Sequence, residues 1–350
     1  MNDFIVNESV KSRLLWDGVA HLPHALLLVG PPGVGKRRFA EQLVALLLCE
    51  APTADLQACG QCAACRWLAA GNHPDFRRVS PGGDENETGE EGGADNKAEE
   101  KKARSSNIRI EQIRALEDFV FIGSHRQSNR VILITEAEAM PAAAANALLK
   151  ILEEPPASVY FILISSNQKN LLPTLRSRCR SVPMGAPARE AAIAWLAENG
   201  LGQQAARYLD LAASAPLRVV QWQEEGQLAA IDALVDSLRT SRDDPLALAG
   251  RWDTLLKDNA AFRLEHLVTG VQRWLFDLAL LRMAGEAHYH RAWPLPKDSN
   301  ALAPTALLAT WHEINGFRRS ARHPLNQLLF LESLAFHYLR ALRPSAPNAS

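Results

Sequence analysis

The five apolar residues Ala25-Leu26-Leu27-Leu28-Val29 open directly into Gly30-Pro31-Pro32-Gly33-Val34-Gly35-Lys36, and an apolar helical pattern starts at Phe39. That order constrains the fold more than any other stretch. A G-x-x-x-x-G-K loop works only when a strand delivers its glycines to a helix N-terminus, where backbone N–H groups and the positive end of the helix dipole meet phosphate oxygens. Gly30, Gly33, Gly35 and Lys36 are therefore the candidate phosphate contacts. The next position should carry a Ser or Thr hydroxyl for magnesium, and Arg37 stands there instead. The motif alone also fits a glycine turn without a ligand, so the rest of the chain has to decide.

A second buried run, Arg130-Val131-Ile132-Leu133-Ile134, has the β-branched character of a central parallel strand and delivers Thr135 and Glu136 to the sheet's carboxyl edge. A phosphate-loop ATPase would place Asp at the first of these positions to hold magnesium and Glu at the second to position the attacking water. The Glu is there and the Asp is not. Two ligands to one ion are thus missing, at Arg37 and Thr135, which predicts a site that does not hydrolyse ATP. The third strand, Val159 to Ile164, ends in Ser165-Ser166-Asn167, where a polar side chain would face a nucleotide's γ-phosphate or simply terminate the strand.

Four of the five cysteines fall between Cys49 and Cys65, as Cys49 followed by Cys59-x-x-Cys62-x-x-Cys65. Such short spacings let sulfurs converge on one tetrahedral ion, and four thiolates fill a zinc site with no open position for catalysis. A structural zinc module is expected from Cys49, Cys59, Cys62 and Cys65. Only Arg66 and Trp67 lie beside it to suggest nucleic acid. Cys179, the fifth, is expected to be buried and separate.

At 350 residues the chain should divide into two or three domains. A net charge of -1 offers no bulk reason to bind nucleic acid, and no apolar stretch reaches the ~20 residues of a membrane span. With no secretion signal at Met1-Asn2-Asp3-Phe4, a cytoplasmic protein is expected. Val6 to Leu22 reads as a lead-in helix. From about 81 to 107 the chain is low in complexity and nearly free of apolar residues, predicting a disordered acidic insertion. A helix from Ala142 to Leu152 stops at Pro155-Pro156, and Leu175-Arg176-Ser177-Arg178-Cys179-Arg180 follows the third strand. Beyond Ala188 the strand signal disappears. Helical stripes run through Leu264, Leu267, Val271, Trp274, Leu275 and Leu278, and again through Leu325, Leu328, Leu331 and Leu334.

Taken together, the cysteines behind the phosphate loop, Asn146 to Pro156 with its Leu-Glu-Glu-Pro-Pro, and Ser177-Arg178-Cys179 resemble the bacterial clamp-loader family of AAA+ proteins. The likeness covers roughly residues 5 to 220 well and the helical remainder only by class. It implies an α/β fold: an AAA+ phosphate-loop domain with a parallel sheet at 1–183 carrying the zinc module (49–65), a helical lid at 184–220, an all-helical collar for oligomerisation at 221–343, and a disordered tail at 344–350. It further implies that the four cysteines bind zinc, that Arg178 is an arginine presented to a neighbouring subunit's ATP, and that Arg218 occupies the second sensor position. Motor members of the family keep both magnesium ligands, so Arg37 and Thr135 point to a stator in which ATP and magnesium are not bound productively. Delta and gamma/tau subunits would be its partners in a hetero-oligomer, with the sliding clamp and primed DNA reached through the complex and no membrane involved. The rival readings are an ATP-hydrolysing motor using Lys36 and Glu136, and a zinc-dependent nucleic-acid-binding protein.

Overall fold

Five short segments build one parallel sheet, three of them apolar runs: β1 Ala25–Val29, β2 Phe76–Val79, β3 Arg130–Ile134, β4 Val159–Ser165 and β5 Arg180–Pro183. The computed structural model describes residues 7–82, 107–121, 129–240, 244–294, 301–321 and 326–343. Strand order is β2-β3-β4-β1-β5, with every pairing parallel. β1 and β3 are buried along their whole length, as expected of strands covered on both faces. α1 Asn7–Leu14 precedes the sheet, and between its strands lie α2 Lys36–Leu48, α3 Ala63–Ala69, α4 Ile110–Phe121, α5 Ala142–Glu153 and α6 Pro173–Arg178. Ile113 and Leu116 of α4 and Leu148 and Ile151 of α5 share a core with Leu27, Ile132, Phe161 and Leu163 of the sheet. The α/β expectation is met.

Two details differ from the sequence reading. The expected helix through Leu22 ends at Leu14; Gly18, at φ 81°, makes a turn that a helix cannot continue, and only a short 3₁₀ turn, Val19–His21, follows. β5 was not anticipated. Only Val182 of its four residues is buried, so it carries no apolar run, and its Pro183 is tolerable because the strand lies at the sheet edge. The expected insertion falls almost entirely at 83–106, and it lies outside the described residues together with the 344–350 tail and Leu325.

Contacts divide the chain into compact units at 1–188 and 189–350. The second is wholly helical among its described residues: α7 Arg189–Leu196, α8 Ala205–Leu211, α9 Pro216–Glu224, α10 Leu228–Thr240, α11 Pro245–Asp258, α12 Leu264–Ala284, α13 Pro304–Ser320 and α14 Gln327–Ala341. The α12 stripe is core, with Leu267, Val271, Trp274, Leu275 and Leu278 all fully buried. Trp252 of α11 and Tyr338 of α14 pack together and are tied to α10 through Ser237 Oγ and the Leu238 carbonyl.

Asp277, at 0% exposure, organises the segment after α12. Its Oδ1 accepts from the backbone N–H groups of His288 (2.9 Å) and Tyr289 (3.2 Å), while Oδ2 accepts from the N–H groups of Tyr289 (2.9 Å) and His290 (2.6 Å) and from His290 Nδ1 (2.7 Å). Burial acts to raise this carboxyl, but the His290 hydrogen bond and the backbone donors outweigh it and hold it below the usual carboxylate range. Asp277→Ala should therefore cost about 3 kcal/mol or more, because buried N–H groups and a buried imidazole lose their acceptor at once. Since the folded pKa is depressed, the carboxylate's contribution is full above its unfolded pKa of about 3.9 and disappears as pH falls through the lower folded value. Urea unfolding of the variant checks this, and a change within about 0.5 kcal/mol, typical of surface substitutions, would show that the strap is ornamental.

Candidate functional site

The loop after β1 is shaped by its glycines. A Cβ on Gly30 would lie 2.0 Å from the Met184 carbonyl oxygen, and Met184 in turn donates its N–H to the Val29 carbonyl at 2.7 Å. Only glycine lets the chain after β5 approach that closely. Gly33 (φ 84°) and Gly35 (φ 98°) take left-handed conformations, and Gly35 is the N-cap of α2. Lys36, the first residue of α2, is buried with its ammonium turned back onto the loop. It donates to the carbonyls of Gly30 (2.7 Å) and Pro31 (2.8 Å) and to Ser166 Oγ at the end of β4 (3.0 Å). Those contacts use all three ammonium donors, so an anion entering this loop must compete with the loop's own carbonyls.

The magnesium positions are occupied otherwise. Thr135 is buried and turned toward β2, donating its backbone N–H (3.0 Å) and Oγ1 (3.3 Å) to the Val79 carbonyl. An Asp in that orientation would bring its carboxylate against a carbonyl oxygen. Arg37 has its Nε 3.1 Å from Glu41 Oε1, one turn along α2, and Arg78 reaches the same oxygen at 3.1 Å. Its charge is thus shared with a carboxylate. Glu136 is exposed in a left-handed conformation at φ 53°. Glu138 does what spacing could not reveal: its Oε1 accepts the Ser166 N–H at 2.9 Å, and its buried Oε2 has no hydrogen-bond partner. Ser166 therefore touches both Lys36 and Glu138.

The four clustered cysteines converge. Their sulfurs lie within 4.8 Å of one another, with Cys49 and Cys62 4.0 Å apart. A tetrahedron of ~2.3 Å zinc–sulfur bonds has edges of about 3.8 Å, so the donor set fits such an ion. Backbone N–H groups point at the sulfurs: Cys59 to Cys49, Cys62 to Cys59 and Cys65 to Cys62, at 3.3, 3.3 and 3.4 Å. Gly60, at φ 70°, makes the tight turn. Donation from Cys65 and Glu50 pulls the Cys62 thiol down to about 6, while burial and the neighbouring Cys62 push Cys65 up to about 12. A cation among them would stabilise every thiolate together. Cys179 is buried as expected, and burial pushes its thiol up to about 11, which leaves it unreactive.

Arg178 ends α6 with its side chain half exposed. One terminal nitrogen donates to Glu153 Oε1 at 3.0 Å and the other to Ser177 Oγ at 3.4 Å. Glu153 closes α5 just before Pro155-Pro156, so the two segments singled out by the resemblance meet in one exposed ion pair. Arg218, in the helical unit, faces a cavity lined also by Arg273 and Arg318.

A family model described as "DNA polymerase III, delta subunit" matches residues 18–187. DNA polymerase III subunit delta′ of Pseudomonas aeruginosa is 40% identical over 188 residues, covering 53% of this chain and 51% of the relative. The subunits of the same name from Yersinia pestis and Escherichia coli are 32% and 30% identical over 253 and 252 residues, each covering 70% of this chain and respectively 67% and 68% of the relative. This chain belongs to the delta-prime family of DNA polymerase III. The alignment spans about half the length of the Pseudomonas relative. A solved gamma subunit-related protein of DNA polymerase III from Thermotoga maritima is also similar, at 17% identity and a TM-score of 0.44 over 92% of this chain and 96% of that one. The stretch matched by the family model contains the phosphate loop, the cysteine cluster and Arg178. Among the described residues no helix is long and apolar enough to cross a membrane.

Proposed function

We propose that this delta-prime family member is a stator: a fixed subunit of a cytoplasmic clamp-loader hetero-oligomer with delta and gamma/tau subunits, helping to place the sliding clamp on primed DNA. Its own nucleotide site is silent. It offers Arg178 to the ATP of a neighbouring subunit, and a structural zinc held by Cys49, Cys59, Cys62 and Cys65 closes its module behind α2. Residues 1–183 form the phosphate-loop domain, 184–220 a lid and 221–343 the collar through which subunits associate. The observation that carries the reading is Thr135, whose hydroxyl is committed to the Val79 carbonyl where a motor would present a metal-binding carboxylate. Arg37 removes the second ligand independently, and Lys36 is already saturated by loop carbonyls and Ser166.

The isolated chain should show no ATP hydrolysis with magnesium, and it should co-purify with delta and gamma/tau subunits when they are expressed together. Steady-state phosphate release measures the first and affinity capture the second. Magnesium-dependent turnover that Lys36→Ala abolishes would turn the protein into a motor, and failure to enter the complex would remove it from the loader.

A further inference from the structure

The helical unit contains a cavity of about 530 Å³ that the loop after β1 does not share. Arg218 of α9, Arg273 of α12 and Arg318 of α13 converge on it from three different helices. Like charges are gathered there at a cost. Burial lowers both Arg218 and Arg273, the latter to about 10, and the neighbouring guanidiniums lower them further: Arg318 beside Arg218, and both Arg218 and Arg318 beside Arg273.

Nearby carboxylates offset that cost only in part: Asp277 acts to raise Arg273, and Glu225 and Glu265 also line the cavity. Among the described residues, none of the three arginines has a carboxylate within ion-pair distance. Glu225, on the cavity wall, is taken by the side-chain amides of Gln221 and Gln227. Asp277 nearby is saturated by the backbone of 288–290 and by His290. Arg273 donates once, to the Leu211 carbonyl at 2.6 Å, and its guanidinium lies 5.0 Å from the Tyr289 ring centre, so its remaining N–H groups stay available. Guanidiniums drawn onto one cavity without an ion-paired carboxylate are prepared for an external anion. Their planar forks match the oxygens of a phosphate, and several forks together suit one that carries more than one charge.

We infer that this cavity is an anion site for a multiply charged phosphate, held between Arg218, Arg273 and Arg318. Its volume suits a small-molecule polyphosphate or a few linked nucleotide phosphates and excludes a folded partner. The shared chemistry is the phosphoryl group, whether carried by a free small molecule or by a nucleic-acid strand.

The test uses the full chain carrying Lys36→Ala, which takes the loop after β1 out of the measurement, with inorganic tripolyphosphate and a twelve-residue single-stranded thymidine oligonucleotide as separate probes in calorimetric titrations. Saturable binding of at least one probe is expected. Arg318→Gln and Arg218→Gln should each weaken it about tenfold or more, the effect of losing a charge-assisted hydrogen bond. Arg318 is exposed, so its variant should keep the parent's melting temperature. Binding of tripolyphosphate alone identifies a free ligand, and preference for the oligonucleotide identifies a strand. Absence of saturable binding to both probes, or binding that neither substitution weakens, overturns the inference. The site stands or falls independently of the stator reading.

Discussion

Stripping the metal from the cysteine cluster should unfold the segment from Cys49 to Cys65 while leaving the sheet intact. Across that segment the only fully buried side chain is Ala64. With so little apolar surface removed from water, hydrophobic burial cannot offset the ordering of a loop this long. What remains to hold it is a set of N–H to sulfur hydrogen bonds and whatever joins the four sulfurs. A structural zinc supplies on the order of 10 kcal/mol at neutral pH, and in small modules that binding energy is the folding energy. Freshly purified protein should contain one zinc per chain by elemental analysis. The double variant Cys62→Ser with Cys65→Ser should lose it and become open to proteolysis between 50 and 62. Strands β1, β3 and β4 are buried independently of the cluster, so far-UV circular dichroism should change little. Metal near zero in fresh protein, or zinc retained by the double variant, would show that the convergence of these thiols has another purpose.

The strands that carry the phosphate loop were legible because each is a run of apolar residues bounded by glycine, proline or polar punctuation, and a strand buried on both faces leaves that signature. The cysteine cluster was legible for a related reason: thiols that tight turns bring together sit close in sequence, as Cys59, Cys62 and Cys65 do. β5 left no such trace, since an edge strand with one buried residue needs no apolar run. Partners chosen by tertiary structure were equally invisible. Glu138 reaches Ser166 across 28 positions, and Glu153 reaches Arg178 across 25. No local pattern encodes such distances. Arg37 pairs with the carboxylate one turn along its helix, and that Glu41 is shared with Arg78 from β2, a partner 37 positions away. In the second unit, the stripes of α12 and α14 stood out as leucine-rich, whereas α9 and α11 bury few residues each and merge into polar sequence.

For Arg178 the magnitudes separate structure from function. Its pair with Glu153 is between side chains 49% and 52% exposed, and such pairs contribute roughly 0 to 1 kcal/mol. An arginine stabilising the charge that develops on a transferring phosphoryl group is worth about 10³-fold or more in rate. The ion pair is thus weak enough to be exchanged for a neighbour's phosphate, and Arg178→Ala should leave the chain folded, zinc-loaded and competent to assemble. Arg178→Lys should rescue poorly, because a point charge lacks the guanidinium's forked donors. The decisive measurement is clamp-dependent ATP hydrolysis and clamp loading by a reconstituted complex carrying Arg178→Ala in this subunit alone. The stator account predicts loss of the one ATP site that Arg178 serves, with clamp loading falling further than total hydrolysis. Hydrolysis and loading equal to those of the unmutated complex would contradict it and leave the subunit a passive scaffold.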